Sequence, residues 1–104
     1  MSRLARQLIE KEKQEKTGRL DLGYCGLTEL PDALFELVWL EELVLSDRYW
    51  DYDQEKPIES QNAGEFNDVR SISPDISKLT NLKSLRINGQ FHIKWEIKDI
   101  SFLQ

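Results

Sequence analysis

The stretch TGRLDLGYCGLTELPDALFELVWLEELVL, residues 17–45, carries one figure and the start of its repetition. Leu20 and Leu22 lead through Cys25 to Leu27, Leu30, Leu34 and Leu37. Leu40, Leu43 and Leu45 then begin again, with Leu43 and Leu45 standing 23 residues on from Leu20 and Leu22. Further along, Val69, Ile72, Ile76, Leu79, Leu82, Leu85 and Ile87 keep the spacing, since Leu30 to Leu40 and Ile72 to Leu82 are both ten residues. Ile97 and Ile100 open it once more. A period in this range marks units that cannot bury their own apolar edge and must stack on neighbours.

The frame resembles that of the leucine-rich repeat family, L-x-x-L-x-L-x-x-N/C-x-L. LEELVLSDR (40–48) and LKSLRINGQ (82–90) match it, and GRLDLGYCGL (18–27) does so less completely. The resemblance implies an α/β leucine-rich repeat solenoid: a short parallel sheet on the concave face, short helices on the convex face and an N-terminal capping helix. It also places Cys25 at the bend position, where the family carries asparagine or cysteine. We read Cys25 as a small buried filler, because a free buried cysteine behaves as a small hydrophobe. The block from the charged N-terminal helix through Leu45 is similar to the start of the leucine-rich region of bacterial Roco-type proteins. That likeness implies a regulatory segment cut from a GTPase whose catalytic residues are not in this chain.

The frame breaks twice. Leu45 should reach the next apolar position five residues on, yet Val69 is 24 away, an insertion of 19 near residues 47–68. Ile87 to Ile97 is ten, a second insertion near 90–96. The bend position is Arg48 in the second repeat and Gln90 in the third. The expected organisation is one domain over 1–104, with a cap helix in 1–17 and about three repeats in 18–104. Ile100, Phe102 and Leu103 begin a repeat that stops at Gln104, so we expect a fragment of a longer protein, or self-association through an uncapped C-terminal edge.

Composition narrows the function classes. The net charge of −5 resides in residues 47–68, where seven acids face Arg48 and Lys56. Phosphate binding needs a basic stripe, so nucleic acid is not an expected partner. There is no apolar run of membrane-spanning length and no signal-peptide pattern, and the expectation is a cytoplasmic chain that does not enter a membrane. One cysteine and one histidine, His92, give too few soft ligands for zinc. Asp51-Tyr52-Asp53-Gln54-Glu55 imitates the opening of a calcium loop, but Lys56 stands where glycine is needed and Asn62 where glutamate is; a solvated acidic loop is the better reading. The glycines form no phosphate-binding motif. Neither a catalytic set, a metal nor a cofactor is expected.

Residues 2–16 read as a helix with Leu4, Ala5, Leu8 and Ile9 on one stripe, stopped by Gly18. Asp32 and Ser73-Pro74 read as the starts of two outer helices. Side chains alternate across a strand, so Arg19, Asp21 and Gly23, then Glu42, Val44 and Ser46, then Ser84, Arg86 and Asn88 fall on the concave face. Arg19 beside Glu42 reads as a cross-strand ion pair. Three strands give a face only ~14 Å wide, which cannot alone supply the roughly 800 Å² a partner covers. The inserts must therefore contribute. The candidate protein-binding residues are Asp21, Glu42, Val44 and Arg86 on the sheet, with Tyr49, Trp50, Tyr52 and Trp95 from the inserts. Tyr49, Trp50 or Tyr52 is expected to pack on Phe91, Ile93 or Trp95. The whole reads as a non-enzymatic recognition module for a protein partner, a basic one given the acids of 51–65.

Overall fold

The computed structural model describes residues 3–88 and 91–94. Helix α1 spans Arg3–Glu15, close to the expected 2–16, and buries Ala5 and Ile9. It ends where Lys16 and Gly18 take positive φ angles of 49° and 87°. Residues of left-handed backbone cannot continue a helix, and glycine adopts it without a Cβ penalty.

Glu12 fastens that end. Its carboxylate is buried and accepts from Thr17 Oγ1 at 2.6 Å, Gly18 N at 2.9 Å and Trp39 Nε1 at 2.9 Å. Burial pushes its pKa up, but the hydrogen bonds from Thr17, Trp39 and Gly18 hold it below the ordinary carboxylate value. One side chain thus joins the helix, the following turn and the outer segment.

Strands β1 (Arg19–Asp21), β2 (Glu42–Val44), β3 (Arg48–Asp51), β4 (Lys56–Glu59), β5 (Ser84–Asn88) and β6 (Phe91–Lys94) form two sheets. The larger has the order β1-β2-β5-β6, and the smaller is the β3–β4 hairpin. β1, β2 and β5 run parallel, with Leu20, Leu43 and Leu85 in register and all buried. The step from Leu20 to Leu43 is the one the 23-residue spacing predicts, and Leu85 follows 42 residues later, after the insert.

The solenoid is not what the chain forms. The molecule is a small α/β domain with one α-helix and a few short strands in two sheets. Three findings correct the expectation. β6 returns antiparallel to β5, so the parallel progression ends after three strands. The 19-residue insert makes its own hairpin instead of entering a further repeat. The outer segments, Asp32–Glu36 and Pro74–Lys78, are single 3₁₀ turns, not α-helices.

The 3₁₀ geometry follows from the apolar spacing. Leu34, Leu37 and Leu40 are fully buried, as are Ile76, Leu79 and Leu82, each set recurring every third residue. A three-residue period matches 3.0 residues per turn, whereas an α-helix would rotate these side chains off the core. Both segments use the same bonds: Leu34 N to Pro31 O and Leu37 N to Leu34 O, then Ile76 N to Ser73 O and Leu79 N to Ile76 O, at 3.0–3.1 Å. Ser73 caps its turn by accepting from Asp75 N, as its sequence suggests, while Asp32 makes no cap bond because Pro31 holds that position. No helix among the described residues is long and apolar enough to cross a membrane.

Candidate protein-interaction surface

The insert is positioned by its own polar side chains. Asp47 Oδ1 accepts from Tyr24 N at 2.6 Å, and Ser46 donates its hydroxyl to the Arg48 carbonyl. The hairpin ladder starts with Ser60 N donating to Asp47 O at 2.9 Å. It continues with Arg48 opposite Glu59, Tyr49 opposite Ile58, Trp50 opposite Pro57 and Asp51 opposite Lys56. Because the 47–60 pair is hydrogen-bonded, alternation turns the backbone of Pro57 towards the free edge of β4. Proline is tolerated there, having no N–H to leave unpaired, and it denies that edge a donor. At the tip, Asp51 Oδ1 accepts from Asp53 N and Gln54 N at 2.9 and 3.2 Å, and Glu55 takes a φ of 53°. The acid that would open a calcium loop is thus occupied in closing a turn.

The return segment is clamped by two asparagines. Asn62 Nδ2 donates to Asp21 O and Gly23 O at 3.0 and 2.9 Å. Asn67 Nδ2 donates to Leu22 O and Leu45 O at 2.8 and 2.9 Å, while its Oδ1 accepts from Cys25 N and Leu27 N at 3.1 and 2.8 Å. The segment runs so close that a Cβ on Gly64 would lie 2.1 Å from Tyr24 O, and one on Gly23 2.6 Å from Ser60 Cβ. Cys25 is buried beneath, its Sγ 3.5 Å from Gly23 O; burial, with the charges of Asp21 and Asp47, pushes its thiol up to about 11. A thiol so placed stays protonated at neutral pH and is a poor nucleophile.

The hairpin has two faces. Inward, the Arg86 guanidinium carbon lies 4.1 Å from the centre of the Tyr49 ring, and Arg19 Nη2 reaches Tyr49 Oη at 3.4 Å. Arg19 in turn pairs with Glu42, as the sequence suggests. Outward, Arg48, Trp50, Pro57 and Glu59 share the other side of the two strands. Arg48 and Glu59 approach to 4.0 Å across the strands, both well exposed.

Trp50 is 45% exposed and Tyr52, at the tip, 78%. The outward surface continues through Tyr24, whose hydroxyl donates to Glu59 at 3.0 Å and whose ring meets Phe66 at 5.5 Å. Burial and the Glu59 carboxylate push the Tyr24 phenol up. Phe66 is 71% exposed and, with Arg48, lines an open groove of about 410 Å³.

The candidate residues therefore divide between two surfaces. On the inner side Arg19 joins Glu42 to Tyr49, and Arg86 lies over the Tyr49 ring. Asp21 is half-buried and accepts from Gly23 N at 2.8 Å. Val44, in register with Arg86, is fully buried, so it lies beneath the surface. The sheet face that the alternation picks out is only partly open: the hairpin lies across it at Val44 and Arg86, while the Arg19 and Glu42 side chains stay 48% and 40% exposed. Trp50 and Tyr52 are on the exposed side. Trp95 and the side chains of Phe91 and Ile93 lie outside the described residues, and so does the packing expected between the inserts.

Sequence reasoning missed Tyr24, Phe66 and Asn67. Phe66, an aromatic in the polar run EFND, was the signal available. No family model matches the chain, and comparison with curated proteins and with solved structures finds no match.

Proposed function

We propose that this chain is a non-enzymatic protein-interaction module that meets its partner through the outer face of the β3–β4 hairpin. One observation carries the reading: among the described residues, of the exposed large hydrophobics Val38, Trp50, Tyr52 and Phe66, the last three all fall in the insert. Tryptophan and tyrosine are the residues most often found to anchor interfaces. The carboxylates of Asp53, Glu55 and Glu59 border them and favour a basic partner surface. The hairpin is stiffened from behind by Tyr49 and at its root by Asp47 and Asn67, which lowers the entropy lost on binding.

The test is site-directed photo-cross-linking in the cells that make the protein. A benzoylphenylalanine replacing Tyr52 is expected to capture one reproducible protein, with capture abolished by Trp50→Ala. The same probe at Val38 is the control. Equal adducts at both positions, or none at 52, would reject the surface.

A further inference from the structure

We infer that the outer face of the hairpin takes an arginine side chain of the partner, its guanidinium stacked on the indole of Trp50 and paired with neighbouring carboxylates. The inference rests on the interaction reading above and names the chemistry of the group that docks. Its basis is a site of the same kind on the reverse of the same hairpin. There Tyr49 carries the Arg86 guanidinium at 4.1 Å from its ring centre. The neighbouring Arg19 pairs with the Glu42 carboxylate and touches the Tyr49 hydroxyl. In this fold one face of the hairpin thus already holds one guanidinium on an aromatic ring and, beside it, a second on a carboxylate.

The outer face offers equivalent parts to solvent. Trp50 is 45% exposed beside Pro57, and tryptophan is the best of the aromatic rings for a cation. Across the hairpin, residues 48–59 hold Asp51, Asp53, Glu55 and Glu59 against Arg48 and Lys56. Asp51 is engaged in the turn, and Glu59 Oε2 accepts from the Tyr24 hydroxyl at 3.0 Å and meets Arg48 at 4.0 Å; the Arg48 contact is loose and exposed, and a better-placed guanidinium displaces it at little cost. Charge complementarity thus selects a cation, and the planar ring selects arginine over lysine. Guanidinium is weakly hydrated, stacks on aromatic faces and bonds carboxylates through a fixed fork, whereas ammonium is a strongly hydrated point charge.

The test follows the Trp50 indole N–H signal of the intact chain by NMR, during titration with three blocked peptides. They are Gly-Arg-Gly-Arg-Gly and its lysine and glutamate counterparts, at low salt. The arginine peptide is expected to shift the Trp50 indole saturably, the lysine peptide several-fold more weakly and the glutamate peptide not at all. Trp50→Leu keeps an apolar side chain but removes the ring; followed through the backbone amide signals of residues 48–59, it is expected to weaken arginine-peptide binding about tenfold, as loss of an aromatic anchor does. Glu59→Gln is expected to weaken it less. A lysine peptide as good as the arginine one, a Trp50 signal unmoved to about 10 mM peptide, or unchanged binding by Trp50→Leu would each overturn the inference. Capture at Tyr52 combined with an unmoved Trp50 signal would remove the arginine anchor while leaving the interaction surface standing.

Discussion

Replacing Asn67 by alanine would show whether the insert is part of the fold or an attachment to it. The amide makes four bonds, to Leu22 O, Leu45 O, Cys25 N and Leu27 N, and no other described side chain reaches all four groups. Truncation removes four net contributions of about 0.5–1.5 kcal/mol each and orphans whichever groups water cannot reach. Asn67 is only half-buried, so some are rehydrated, and the expected loss is about 3 kcal/mol. A domain of this length has a total stability of roughly 5–15 kcal/mol, so the variant stays folded but is severely weakened. Urea unfolding followed by circular dichroism gives the loss directly, and the melting temperature should fall by roughly 12 °C or more.

Asn62→Ala, which removes two bonds, is the internal scale and should cost about half as much. Asn67→Asp supplies the acceptor but turns a carboxylate oxygen on the Leu22 and Leu45 carbonyls. It should be no better than alanine at neutral pH. An Asn67→Ala loss within about 0.5 kcal/mol of zero, the range of an ordinary surface change, would refute the clamp. So would a loss smaller than that of Asn62→Ala.

Glu12 has a depressed pKa in the folded chain, so its contribution is present above the ordinary value of 4.5 and is lost as pH falls through the lowered folded value. Glu12→Gln should cost about 1–3 kcal/mol at pH 7 and flatten the decline of stability below pH 4.5, read from urea midpoints against pH; an unchanged acid limb would refute this. Cys25, with its thiol pushed up to about 11, should label with a disulfide reagent at pH 8 far more slowly than in the urea-unfolded chain. The thiolate fraction there is only about one in a thousand, and burial slows access further, so equal rates would be decisive against it. Gly64→Ala puts a methyl group 2.1 Å from the Tyr24 carbonyl and should cost about 1–3 kcal/mol by displacing residues 60–68. The amide signals of Cys25 and Leu27 should move with it, because they bond Asn67, and stationary signals would show that the backbone yields elsewhere.

What the sequence made legible was whatever repeats along it. Leu20 and Leu43 fall in register because a parallel strand returns to the same height, and the 23-residue spacing records that return; Leu85, 42 residues further on, joins the ladder only past the insert. The helix was legible from one stripe and a glycine stop. The outer turns were visible as positions but not as type, since Leu34, Leu37 and Leu40 obey a period of three that short segments share with the edge of a helical pattern. The hairpin was not legible as strands, because RYWD and KPIE hold charges and a proline and have no long alternation. Its place is fixed by contacts between residues far apart, Asp47 to Tyr24 and Asn67 to Leu22, Leu27 and Leu45, which no local pattern encodes.

That gap bears on how much of the sheet surface is open. Alternation identified the correct side chains on the sheet face, but it cannot tell whether solvent or another part of the chain meets them. Here the chain's own insert does: Tyr49 takes Arg86 and touches Arg19, and Val44 is sealed. A two-stranded ribbon that gives one side to the domain must give its other side to water. On that side stands Trp50, 45% exposed, on which the proposed interaction surface is centred. Covering the sheet face thus moves the candidate site outward by one layer, from the sheet to the back of the ribbon that covers it.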